Sequence, residues 1–113
     1  MPPRYIPQQG DLVHLTFDPQ SGHEQKGRRP ALVISHQAFN KATGLAIVCP
    51  VTNTDTKIPF HVKIPGSVKN ITGFIMTEQV KSVDFRSREV QKICEAPRDV
   101  LNEVLSLLDA CIY

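Results

Sequence analysis

The chain has 113 residues and a mass of 12.6 kDa, room for one domain spanning 1–113 and not for a second. Apolar residues make up 41% and charged residues 21%, a balance that excludes a disordered chain, and no run of about 18 apolar residues offers a membrane span. The net charge of +2 does not by itself single out a polyanion partner.

Residues Asp11 to Phe17 alternate, with Val13, Leu15 and Phe17 on one face, which predicts a half-buried strand. Gln20 to Arg28 (QSGHEQKGR) has the composition of a surface loop long enough to cover a site. Pro30 then introduces Ala31 to Ser35, a continuous apolar run that reads as a central strand. Ser35 is the expected cap of a short helical turn through Ala38, Phe39 and Lys41, ended by Gly44.

Leu45 to Val51 resumes strand character, with Pro50 marking an edge or a bulge, and Thr52 to Lys57 reads as a polar loop. Strands follow at Phe60 to Ile64, Gly73 to Met76, Gln79 to Val83 and roughly Glu89 to Cys94, with Pro65-Gly66 as a turn. From Pro97 the period changes, and Val100, Leu101, Val104, Leu105, Leu108 and Ile112 recur at helical spacing. Short strands with a single terminal helix describe a mainly β protein: a small, strongly bent antiparallel barrel or half-barrel, with a short internal helix and a C-terminal amphipathic helix packed outside.

Charge is uneven along this order. Residues 57–92 carry seven basic side chains against three acidic ones, whereas 93–113 carry Arg98 against Glu95, Asp99, Glu103 and Asp109. The cysteines, Cys49, Cys94 and Cys111, form no CxxC pair and have no histidine at ligand spacing, so neither a disulfide framework nor a metal site is expected. The opening MPPRYIPQQG has no apolar h-region, so no signal peptide is expected, and reduced thiols fit a cytosol. No phosphate cradle, nucleophile elbow or HExxH occurs. His14, His36 and His61 read as surface polar residues, and His23, in the loop, as a substrate contact. What remains is a loop bearing Glu24, Lys26, Arg28 and Arg29 at the mouth of one buried strand, and a polar loop from Thr52 after another.

The stretches GDLVHLTFDPQSGHEQKGRRPALVIS (10–35), FNKATG (39–44), CPVTNT (49–54), EQVKSVD (78–84) and NEVL (102–105) resemble the successive motifs of the MazF/PemK family of toxin endoribonucleases. The match runs in register over almost the whole chain. The resemblance implies a homodimer of small SH3-like barrels, the toxin of a bacterial type II toxin–antitoxin module. It further implies a cytoplasmic enzyme that cuts single-stranded RNA or mRNA without a metal or other cofactor, leaving a 2′,3′-cyclic phosphate and a 5′-hydroxyl. The implied partner is a cognate acidic antitoxin of the MazE/PemI kind.

By the same resemblance, Arg29 and Thr52 match the family's catalytic arginine and threonine, and Glu24 a glutamate that takes part in some members. Phe17, Gln79 and Lys81 fall where members line the RNA groove. His23, Arg28, Lys57 and Glu78 join them as candidate RNA-binding residues. Some PemK-type members place an arginine and an aspartate where this chain has Met76 and Glu78, so that arginine's role does not transfer. A guanidinium at Arg29 donates two hydrogen bonds to the developing phosphorane charge, and Thr52 orients a non-bridging oxygen. Glu24 is the more natural base, because arginine holds its proton at neutral pH. Leaving-group protonation is open among Arg29, His23 and water. Two alternatives differ in class: a toxin of the same fold that poisons DNA gyrase without cutting RNA, and a plain RNA-binding barrel.

Overall fold

The computed structural model describes residues 4–17 and 27–113. Strand β1 (Asp11–Thr16) is buried on both faces in its first half: Leu12 and Val13 are both fully covered, where simple alternation predicts one covered side. β2 (Arg28–Val33) starts three residues before the apolar run, because β1 pairs with it from Leu12↔Leu32 out to Thr16↔Arg28. β3 (Leu45–Thr52) extends one residue past Val51, so Thr52 belongs to a strand end and not to the loop.

The remaining strands are β4 (His61–Lys63), β5 (Phe74–Met76), β6 (Lys81–Asp84) and β7 (Gln91–Glu95). Gln79, expected to open a strand, lies in a 3-10 turn over Thr77–Gln79. Every strand pair is antiparallel, in the order β4-β5-β3-β2-β1-β7, with β6 also on β3. Among the described residues β4 and β7 do not pair, so the sheet is an open half-barrel.

The bend has a local cause in β3. One edge of β3 carries β2, through Val48↔Val33 to Pro50↔Ala31. The other edge carries β6 up to Val48↔Lys81 and then β5 from Val51↔Ile75. Five residues lie between Ile75 and Lys81 while only two lie between Val48 and Val51, and the three-residue 3-10 turn takes up the difference. Pro50 sits in that gap. Ile47 O accepts from Ile34 N, so Ile47 presents its polar groups to β2, and alternation turns the missing amide of Pro50 to the opposite edge, where the turn replaces a strand. Pro50 thus stands in a strand with neighbours on both sides, where β3 changes partner from β6 to β5 and its register with β2 is regular, so it marks neither an edge nor a bulge. The bulge of the sheet described lies between Leu12 and Val13 of β1, opposite β7.

Each face of the bent sheet buries a cluster. Val13, Leu15, Ala31, Val33, Ala46, Val48, Val83 and Phe85 fill one side. Leu12, Leu32, Cys49, Val51, Val62 and Ile75 fill the other, beneath helix α2 (Arg98–Ile112), which contributes Val100, Leu101 and Val104. Pro97 is the residue that precedes the helix, one position before its first turn. No helix of the described residues is long and apolar enough to cross a membrane.

Helix α1 (Gln37–Thr43) ends at Gly44, whose φ of 74° is the left-handed conformation a helix stop requires. Its N-cap is His36, not Ser35, and no side chain caps it. Ser35 is used otherwise. Its Oγ donates to Asn40 Oδ1 at 2.6 Å and accepts from Ile47 N at 2.8 Å. Asn40, fully buried, also donates from Nδ2 to Pro7 O at 2.8 Å, tying α1 to the N-terminal segment. Asn40→Ala strands several of these groups at once and is expected to lower stability by about 1–3 kcal/mol, read from the urea midpoint at constant slope.

Candidate active site

β1, β2, β3 and the 3-10 turn surround an open cleft of about 390 Å³, lined by Phe17, Gly27, Arg29, Pro50, Met76, Gln79 and Lys81. Alternation along β2 separates two neighbouring arginines. Arg29, opposite Leu15 of the Val13–Phe85 cluster, is exposed and faces the cleft. Arg28 turns the other way: Nη2 donates to Glu89 O at 2.7 Å and to Gln91 Oε1 at 3.0 Å, and Nη1 to Thr16 Oγ1 at 3.4 Å. The structure therefore does not bring Arg28 to the cleft.

Phe17 closes one side. Its amide donates to Gly27 O at 2.8 Å, joining the two ends of the segment between β1 and β2. Arg88 Nη1 donates to Thr16 O at 3.0 Å and to Phe17 O at 2.5 Å, so a guanidinium holds the backbone from which the Phe17 ring projects. The Lys81 ammonium lies 5.2 Å from the centre of that ring. His23 and Glu24 lie outside the described residues.

Thr52 ends β3 two residues beyond Pro50, just as Arg29 stands two residues before Ala31 in β2. Both keep the facing of the Ala31↔Pro50 pair, at the point where β2 and β3 cease to be paired. The Thr52 hydroxyl accepts from Thr54 N at 3.2 Å, which uses its oxygen and leaves its hydrogen to donate. Gly73 packs against it. The φ of Gly73 is 129°, and a Cβ there would lie 2.5 Å from Thr52 O and 2.9 Å from Val51 Cγ1.

Glu78 is engaged beside the cleft. Its Oε2 sits 2.8 Å from His61 Nε2, and Thr56 Oγ1 lies 3.4 Å from His61 Nδ1. The His61 side chain is only 5% exposed, which corrects its reading as a surface residue. β4 buries it: His61 pairs with Met76, which lines the cleft. Lys57 lies outside the cleft on an exposed loop, its φ at 57° and its amide donating to Asp55 Oδ1 at 3.0 Å. Burial, with the Glu78 carboxylate adding to it, pushes the Cys49 thiol up to about 12, so it stays protonated and inert at neutral pH. Burial, then the Arg28 charge, lowers the pKa of His14.

The cleft thus combines a guanidinium, an ammonium, an amide and an aromatic ring, and Thr52 stands on the same face of β3 two residues beyond Pro50 of its lining. Cations beside an aromatic ring on an open antiparallel half-barrel have the chemistry that suits an anionic, unpaired polymer chain. Residues 8–112 match the family model described as PemK-like, MazF-like toxin of type II toxin–antitoxin system, and the chain belongs to that family. It is 39% identical over 89 residues to "Endoribonuclease toxin MazF" of Escherichia coli (strain K12), covering 79% of this chain and 78% of that protein. Its backbone is similar to a crystal structure of MazF from Deinococcus radiodurans, with TM-score 0.86, 45% identity, and coverage of 96% and 98%. A MazE-MazF structure from the same organism gives TM-score 0.87 at 42% identity, covering 96% and 97%.

Sequence reasoning missed the Glu78–His61 pair, because the two residues are 17 positions apart and share no local pattern. It also missed the part played by Gly73, which it read only as a strand start. Gly73→Ala is expected to cost about 1–3 kcal/mol, from strain and overpacking against Thr52. Gly66→Ala is the control and should be near neutral, since nothing lies within 4 Å of a Cβ there. Thermal denaturation of the two variants checks the difference.

Proposed function

We propose that this protein is the toxin of a type II toxin–antitoxin module and acts as a sequence-specific, metal-independent endoribonuclease on single-stranded RNA. The observation that carries the reading is the cleft that gathers Arg29, Phe17, Gln79 and Lys81 beside Thr52, in a chain of the PemK-like, MazF-like family. Curated relatives bear the name endoribonuclease, which supports the same reading.

The chemistry needs no protein nucleophile. The ribose 2′-oxygen attacks the adjacent phosphorus, its proton passing to a base; the new O2′–P bond forms as the P–O5′ bond breaks, and the 5′-oxygen takes up a proton. The products are a 2′,3′-cyclic phosphate and a 5′-hydroxyl end. Negative charge builds on the non-bridging oxygens in the transition state, where the Arg29 guanidinium donates to two of them. The Thr52 hydroxyl, its oxygen already engaged by Thr54 N, donates its hydrogen to one of these oxygens and fixes the phosphate for in-line attack. Phe17, steadied through its backbone by Arg88, offers a stacking face to an unpaired base, and Lys81 neutralises a phosphate. We assign the base to Glu24, a carboxylate in the segment that joins β1 to β2. Glu78, held by His61, shapes the wall beyond Met76 and Gln79.

The same cationic cleft suits an acidic, flexible antitoxin segment that occupies the substrate's place. The MazE-MazF complexes among similar structures support such a partner. The toxin acts as a homodimer in the bacterial cytoplasm.

The purified protein, with EDTA present, is expected to cut a long mixed-sequence RNA to fragments with 5′-hydroxyl ends, and sequencing those ends gives the cleavage site. Arg29→Ala should lower the rate by about 10²–10³. Thr52→Val, which keeps the shape without the hydroxyl, should lower it by about tenfold. Both variants should melt like the parent. RNA that is bound and never cut overturns the reading.

A further inference from the structure

The side of the sheet that carries the cleft continues past Thr52. Thr52 pairs with Phe74, and Phe74 with Lys63, so these three form one row across β3, β5 and β4. The next row, Val51, Ile75 and Val62, is 4%, 0% and 3% exposed and lies in the core beneath α2. Alternation therefore turns Thr52, Phe74 and Lys63 to the opposite side. The row after that, Met76 with His61, faces as they do, and Met76 lines the cleft. The row and the cleft share one surface.

Its chemistry matches what a polynucleotide leaving the cleft requires. Phe74 is half-buried, so its ring is fixed and one part of it is open. Lys63 is exposed, and no carboxylate among the described residues pairs with it. Two strand spacings put Lys63 about 10 Å from Thr52, backbone to backbone. We propose that Phe74 and Lys63 form a second binding region for the RNA on one side of the cut. The Phe74 ring supports the nucleotide that flanks the scissile phosphate, and the Lys63 ammonium takes a phosphate beyond it. This region rests on the ribonuclease reading and lies outside the residues that carry the chemistry. A lysine on the terminal strand of a sheet also discourages edge pairing, and that role alone makes no demand on substrate length.

The test uses the full chain and oligonucleotides built on the cleavage site that the parent protein selects, either minimal or extended on one side or the other. For the parent, extension on one side is expected to lower KM. Lys63→Gln should abolish that gain, raising KM several-fold on the extended RNA while leaving kcat and the minimal RNA unchanged. The slope of log KM against log salt should fall by about 0.7, the value of one phosphate contact on a single strand. Lys63→Arg should restore both, and Phe74→Leu should raise KM on the same extended RNA. A folded Lys63→Gln protein with the parent's length dependence and salt slope overturns the proposal alone. A parent protein that cuts no RNA overturns the ribonuclease reading and this region with it.

Discussion

The change of partners along one edge of β3 is the constraint on which the rest of the molecule depends. β3 pairs with β6 through Val48 and with β5 from Val51, and Pro50 stands between them with no amide hydrogen to give. Because the edge is interrupted there, the three-residue turn of Thr77–Gln79 fits between the two strands, and the β4–β5 part of the sheet is set off from the part that holds β6. The cleft opens at that division. A continuous β5–β6 strand would pair all along β3 and leave no turn to line the cleft beside Met76.

Strand alternation then sorts the charges. Arg28 and Arg29 are adjacent in sequence and arrive on opposite faces, one fastening β2 to the Glu89–Gln91 segment and the other lining the cleft. Arg88 is used for architecture too, gripping the carbonyls of Thr16 and Phe17. Of the basic side chains in the positive segment 57–92, Lys81 faces the cleft and Lys63 stands on the surface that continues it, whereas Lys92 lies near the buried Asp11 carboxylate at 3.4 Å. A segment's net charge thus says little until the pleat assigns each residue a side.

Rigidity at the site is built from backbone contacts more than from side-chain networks. Gly73 allows β5 to approach Thr52 more closely than any side chain permits, and Thr54 N holds the Thr52 hydroxyl. Such contacts fix position without using up the groups that a substrate needs.

The sequence by itself determined the class of the fold, because alternation in β1, the apolar runs of β2 and β3, and the helical period after Pro97 are all local consequences of side-chain placement. Ordered motifs along the chain also singled out Arg29, Thr52, Phe17, Gln79 and Lys81, and pointed to the family. The Ser35 cap, the strand at Gln79 and the surface position of His61 read differently in the folded chain, each because a distant partner prevailed: Ile47 and Asn40 for Ser35, the divided edge of β3 for Gln79, and Glu78 for His61. Only the tertiary structure decided which arginine meets the cleft, that Gly73 seats Thr52, and that Thr52, Phe74 and Lys63 form one row. Those facts follow from register between strands far apart in sequence, and register is set by the packing of the whole sheet, not by any one segment.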